Sequence, residues 1–303
     1  MGIYVVNSTE LIPPLQKQWL PISFASLAAS GGATVGLSKE GQKIVRQGLG
    51  TEQGFSETWP KYIMPAMSPG PDLDAINRKA IQVLAEYTEI LRAQGTHRLP
   101  LRTWSRKVMV VATSEAIWGE KNPYRDPEVA EAWRVFEAGF MTINMFPMAS
   151  WVFPQIFKAR ERVADAMLEY VHSGGPEGAS GLVRKRYEHH RGLFQLWLDD
   201  FARGELGNTF ALLGNSTAVA LWVIWHIYSD DQVLSDIRSE VSRLVEESED
   251  ENSIDLGMVK TACPILLSTF METLRYRAVN PGPANSLRTS LSTAFSSRRE
   301  TCS

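Results

Sequence analysis

Cysteine is nearly absent from this chain of 303 residues, which carries only Cys263 and Cys302. Two thiols cannot build a disulfide framework, and they fit a reducing compartment. Neither a C-x-x-C nor a C-x-x-H pair occurs, so no residue set reads as a metal site of the structural zinc kind. An excess of one charge sign is also missing. Lys and Arg number 31 against 34 Asp and Glu, for a net charge of -3, so there is no basic face of the kind nucleic acid requires. The N-terminal stretch lacks a basic region, and Asn7 to Glu10 interrupt its apolar residues, so it does not read as a signal peptide. Val6 stands where a myristoylation motif wants Ser or Thr. No G-x-S-x-G nucleophile elbow and no internal repeat is present. Strand-like alternation is confined to Ile3–Val6.

What is there is helix. Hydrophobic residues make up 44% of the chain, enough to bury a sizeable core in one large domain or two ordinary ones. Apolar periodicity and caps predict helices over 72–94 with Asp72 as N-cap, 99–118, 127–146 capped by Asp126 with Pro127 in the first turn, and 154–172. Further helices are predicted over 182–200, 206–228, 230–246 and 265–276. Ser38 caps a short helix running to Gly48, and 10–26 reads as a helix broken by Pro13, Pro14 and Pro21. Ser30–Ala33 reads as a glycine turn, 55–71 as an ordered loop rich in Pro and aromatics, 174–181 as a flexible glycine connection, and 248–253 as an acidic loop. The tail over 284–303 is rich in Ser, Thr and Arg and shows no period, so it is expected to be disordered. The domain division is therefore 1–283 and 284–303.

Two constellations stand out. The apolar run Phe210–Tyr228 is long enough to invite a membrane reading, but Gly214-Asn215-Ser216-Thr217 and His226 interrupt it, which favours a buried core helix. The polar cluster reads on its own as a kink whose hydroxyls bond back to the preceding turn. The second run ends in Glu272-Thr273-Leu274-Arg275, a Glu and an Arg on one helix face. The same spacing at Glu89/Arg92, Glu131/Arg134, Glu188/Arg191 and Glu240/Arg243 reads as solvated ion pairs. Glu272/Arg275 differs in sitting among Ile265, Leu266, Leu267, Phe270, Met271 and Leu274, where a charged pair calls for further partners. His189-His190 lie in a basic segment and read as a solvated face, and His226 as a hydrogen-bonded core histidine.

In that order the two segments resemble the oxygen-side helix and the ExxR helix of the cytochrome P-450 family, with the first aligned on Trp222. Asn280-Pro281-Gly282-Pro283 resembles the start of the segment that follows ExxR. Gly214 and Asn215 stand where the family usually has an acid followed by Thr. This is similar to the bile-acid hydroxylase and prostacyclin synthase branch, as is the N-terminal Glu10–Gln18. The resemblance implies a mainly α fold, an incomplete helical domain of that family with little sheet, truncated at both ends. It implies heme as cofactor, an apolar small-molecule substrate from lipid, sterol, terpenoid or other secondary metabolism, and a redox partner reductase. Ala211, Gly214, Asn215 and Thr217 are the implied distal-pocket residues, with Gly214 and Asn215 at the chemistry and Glu272 and Arg275 as structural support.

The family holds its iron through a cysteine thiolate. Cys263 precedes the ExxR helix and does not match that ligand. Cys302 follows Phe295 at the signature's interval but without its glycines. No metal ligand is assigned, and the implied monooxygenase is expected to be impaired. The alternative is a non-catalytic family member without thiolate-bound heme. Family members are often at the endoplasmic reticulum membrane, whereas this chain reads as cytoplasmic or peripheral, without a membrane anchor.

Overall fold

The computed structural model describes residues 8, 10–17, 22–23, 25–95, 98–146, 148–246, 255–277 and 285–286. In chain order the helices are α1 (Ile12–Gln16), α2 (Ala25–Val35), α3 (Lys39–Val45), α4 (Phe55–Met67), α5 (Pro71–Ala93), α6 (Leu101–Trp118), α7 (Pro127–Met145), α8 (Ala149–Val152), α9 (Pro154–His172), α10 (Gly181–Tyr187), α11 (Leu198–Thr209), α12 (Asn215–Tyr228), α13 (Asp231–Glu246), α14 (Leu256–Ala262) and α15 (Pro264–Arg277). Among the described residues extended structure is limited to β1 (Ile22–Ser23) paired antiparallel with β2 (Asn285–Ser286). The mainly α expectation is met. The Ile3–Val6 strand, the 248–253 loop and the tail beyond Ser286 lie outside the described residues.

The chain divides into two compact units. The first comprises Met1–Ile81, Ser114–Phe210 and Gly282–Ser303, and the second Gln82–Thr113 and Ala211–Pro281. In the first, α9 packs between α7 and α11, α11 rests on α2, and α10 rests on α4. Gly139 on α7 permits the close crossing, since a Cβ there would lie 2.5 Å from the Ile156 side chain of α9. The core is aromatic: Trp118, Trp133, Phe136 and Phe201 are buried, with Tyr124 and Phe210 in ring contact with Trp133. An ion pair sits inside it. Arg186 donates through Nε and Nη2 to the two oxygens of Glu205, each at 2.6 Å, and the side chains are 2% and 0% exposed. Trp118 Nε1 and Asn208 Nδ2 donate to the same carboxylate at 3.1 Å. In the second unit, α12 packs on α13 and α15, and α13 and α14 pack on α15.

Several caps fall where the sequence places them. Ser38 accepts from Gly41 N and Asp126 from Glu128 N; Asp230, read as the first residue of its helix, instead precedes α13 and accepts from Gln232 N and Val233 N. Asp72 lies inside α5 rather than capping it, because Pro71 takes the first helical position. Four readings need correction. The glycine turn at Ser30–Ala33 is helical, and the reversal comes later, at Gly36 with φ of 85°. The loop at 55–71 is mostly α4, which accommodates Pro60 and Pro65 because both lie on its exposed side. The glycine connection is ordered: Gly175–Gly178 forms a 3-10 turn with Gly175 and Pro176 buried. The predicted 182–200 helix is divided by a π turn at Glu188–Leu193 and resumes as α11.

Leu198–Tyr228 runs as one helix long and apolar enough to cross a membrane by length and composition. The buried-core reading of this run is also corrected, since only 11% of its most apolar stretch is buried. Within the second unit the helix is covered on the sides that α13 and α15 occupy, and Trp225 and Tyr228 remain exposed. His226 is half-buried and lies against Trp222.

Candidate functional site

The polar cluster opens α12 directly after a π turn over Phe210–Gly214. Its polar side chains bond back to the carbonyls of that turn. Asn215 Nδ2 donates to Ala211 O at 3.2 Å, Ser216 Oγ to Leu212 O at 2.7 Å, and Thr217 Oγ1 to Leu213 O at 2.9 Å. This is the back-bonded arrangement the sequence allows for these residues. Thr217 is buried, Gly214 half-buried, and Ala211 and Asn215 exposed. An amide that donates to its own helix keeps its oxygen available to orient a water or a substrate hydroxyl, and it supplies no acidic proton.

The ExxR helix is α15. Its N-terminus is held by a residue the sequence reading treats as solvated. Glu240 of α13 is 3% exposed and accepts from Ile265 N at 2.8 Å and Leu266 N at 3.1 Å. A carboxylate at this end satisfies two orphan donors and complements the helix dipole. Arg243 bonds Ser239 O, and Glu188 pairs with Lys185 rather than Arg191. The pairs Glu89/Arg92 and Glu131/Arg134 form on the surface as expected.

Glu272 and Arg275 also pair, Arg275 Nε lying 2.8 Å from both carboxylate oxygens. Hydrogen bonding to the guanidinium lowers the Glu272 pKa and raises that of Arg275. Their side chains are 61% and 69% exposed, and among the described residues no third partner joins them. The expected further partners are thus not found there. The helix surfaces meet elsewhere, where the Arg277 guanidinium lies 3.6 Å from the centre of the Trp222 ring. The structure therefore brings α12 against α15 and leaves the Glu272/Arg275 pair on the solvent side.

Among the described residues no side chain stands as the thiolate ligand of a heme iron. Cys263 is fully buried between α14 and α15, and burial pushes its thiol pKa up. No group of three His, Cys, Asp or Glu converges among the described residues. Cys302 lies outside them.

The sequence reading also missed the His189-His190 pair. Both rings are buried, 0% and 6% exposed, among Phe55, Tyr62, Phe194 and Phe201. Burial lowers the His189 pKa to about 4, and burial with the neighbouring His189 and Arg186 holds His190 well below its ordinary value. Both histidines lie in the π turn over Glu188–Leu193, where straight-helix periodicity does not apply.

No family model matches the chain. It is similar to cytochrome P450 monooxygenase nodJ of Hypoxylon pulicicidum, with 28% identity over 286 residues, 91% of this chain and 54% of that protein. It is also similar to a cytochrome P450 monooxygenase of Gibberella zeae, with 22% identity over 262 residues, 84% of this chain and 48% of that protein. The chain spans about half the length of the curated relatives it matches. Along most of its length, then, this protein is similar to cytochrome P450 monooxygenases.

Proposed function

We propose that this chain is the oxygen-side helical portion of a heme-dependent monooxygenase acting on an apolar lipid, sterol, terpenoid or other secondary metabolite. The observation that carries the proposal is the packing of α12 on α15 within one unit, in a chain similar to two monooxygenases of one family. Heme, when bound, supplies the oxygen activation and a reductase supplies the electrons. The residues of this chain supply orientation. Ala211 and Gly214 keep the helix surface low beside the π turn, Asn215 positions a water or substrate oxygen through its free carbonyl, and Thr217 holds the Leu213 carbonyl. An amide at position 215 matches the bile-acid hydroxylase and prostacyclin synthase branch and leaves proton delivery to a bound water. Glu272 and Arg275 act as support for the heme-side core.

A second reading, a non-catalytic relative without thiolate-bound heme, is favoured by two observations: the Glu272/Arg275 pair is exposed and self-contained, and Cys263 is buried. The reduced, CO-bound optical spectrum of the purified chain reconstituted with hemin separates the two. A Soret band of the thiolate type supports the monooxygenase reading. Absence of bound heme supports the second.

A further inference from the structure

A cleft of about 460 Å³ in the first unit is lined by Gln47, Glu52, Gln53 and Thr58 on one side and by Leu193, Phe194 and Gln195 on the other. Unusual backbone converges on it. Leu193 ends the π turn, and Gln195 is the non-glycine residue with positive φ, 53°, among the described residues. A left-handed conformation is unfavourable for such a residue and persists only where surroundings enforce it. Here Arg191 Nη1 bonds Leu196 O and Leu196 N bonds His190 O, which fixes the turn from both sides.

A hydrogen-bond chain ends at the same cleft. Thr58 donates its hydroxyl to Gly54 O at 2.8 Å. With the Thr58 proton on Gly54 O, His189 Nε2 donates to Thr58 Oγ1 at 2.9 Å, and His189 Nδ1 lies 3.2 Å from Nδ1 of His190, whose ring also bonds the Arg186 backbone. Thr58, which lines the cleft, is left with one acceptor lone pair. The cleft's side chains are rich in acceptors: one carboxylate, one hydroxyl with its proton already committed, and amide groups able to accept as well as donate. Among the described residues no Lys, Arg or His lines it. Phe194 adds an aromatic wall, in edge contact with Phe55. Glu57, the residue before Thr58 on α4, has a buried carboxylate oxygen, Oε2, without a hydrogen-bond partner.

We propose that this cleft binds a small organic cation that carries N–H donors on a short apolar body, the alkylammonium class. Glu52 supplies the counter-charge, the free lone pair of Thr58 and the amide oxygens of Gln47 and Gln195 accept its N–H groups, and Phe194 receives the alkyl part with a cation–π contribution. The site needs no heme and is independent of α12.

The test is an NMR titration of the full chain with n-butylammonium, following the imidazole signals of His189, assigned with the variant His189→Gln. n-Butanol and butyrate serve as the neutral and anionic controls of the same length. The expected result is a saturable shift with n-butylammonium alone, and a Kd raised about tenfold in Glu52→Gln. Glu52 is exposed, so that variant keeps the fold. Equal binding of butanol or butyrate, no saturable shift with any probe, or an unchanged Kd in Glu52→Gln overturns the proposal.

Discussion

The Arg186–Glu205 pair offers the sharpest test of how the first unit is held together. Glu205 is fully buried and takes four donors: two from Arg186, one from Trp118 and one from Asn208. Glu205→Gln keeps the shape and leaves an oxygen for Trp118 Nε1, but it removes the counter-charge from a guanidinium that is 2% exposed. Breaking a buried pair from one side costs about 3–5 kcal/mol, because the surviving charge has no water to return to. At roughly 2–4 °C per kcal/mol for a domain of this size, the melting temperature falls by about 6–20 °C. Arg186→Met in the Glu205→Gln background removes the stranded charge, and stability returns to within about 1–2 kcal/mol of the starting protein. Urea denaturation followed by far-UV circular dichroism measures both. A single variant that loses less than about 1 kcal/mol, or a double variant no more stable than the single, refutes the reasoning.

Lowering pH tests the histidine pair. His189 binds its proton in the unfolded chain near pH 6.5 and in the folded chain only near pH 4, so its neutral form favours folding fully above pH 6.5. That contribution, roughly 2–3 kcal/mol, is lost as pH falls from 6.5 to 4, and His189→Gln flattens the dependence in denaturation profiles at stepped pH. Glu240→Ala removes the α15 cap and costs about 1–2 kcal/mol, with faster hydrogen exchange at Ile265 and Leu266 and none at α9. Thr217→Val leaves the Leu213 carbonyl without its hydroxyl and costs about 1 kcal/mol in thermal melts. Arg275→Ala leaves the melting temperature of this chain unchanged, because the Glu272/Arg275 pair faces water.

Helices with strong periodicity and an N-terminal Asp or Ser were legible, because the cap and the apolar stripe are local properties. Helix α7 starts one residue after Asp126 and α9 spans 154–172, as the sequence alone indicates. Helix α4 was not legible, since its prolines are decisive only when one knows that they face outward. The back-bonding of Ser216 and Thr217 was legible from spacing. The burial of His189, His190 and Glu240 was not, because it depends on where a π turn falls and on which helix end a distant carboxylate meets. The Arg186–Glu205 pair joins residues of different helices and leaves no pattern in a single strand of text. The expected burial around Glu272 and Arg275 rested on apolar neighbours in sequence, and those neighbours Leu267, Phe270 and Met271 are themselves exposed.

The double hydrogen bond that Glu240 accepts has a geometric consequence for the ExxR segment. Two adjacent amides grip two oxygens of one rigid carboxylate, so α15 cannot rotate or slip by a single residue without surrendering both. The direction in which Glu272 and Arg275 point is therefore dictated from α13, and a substitution there re-aims the pair without touching it.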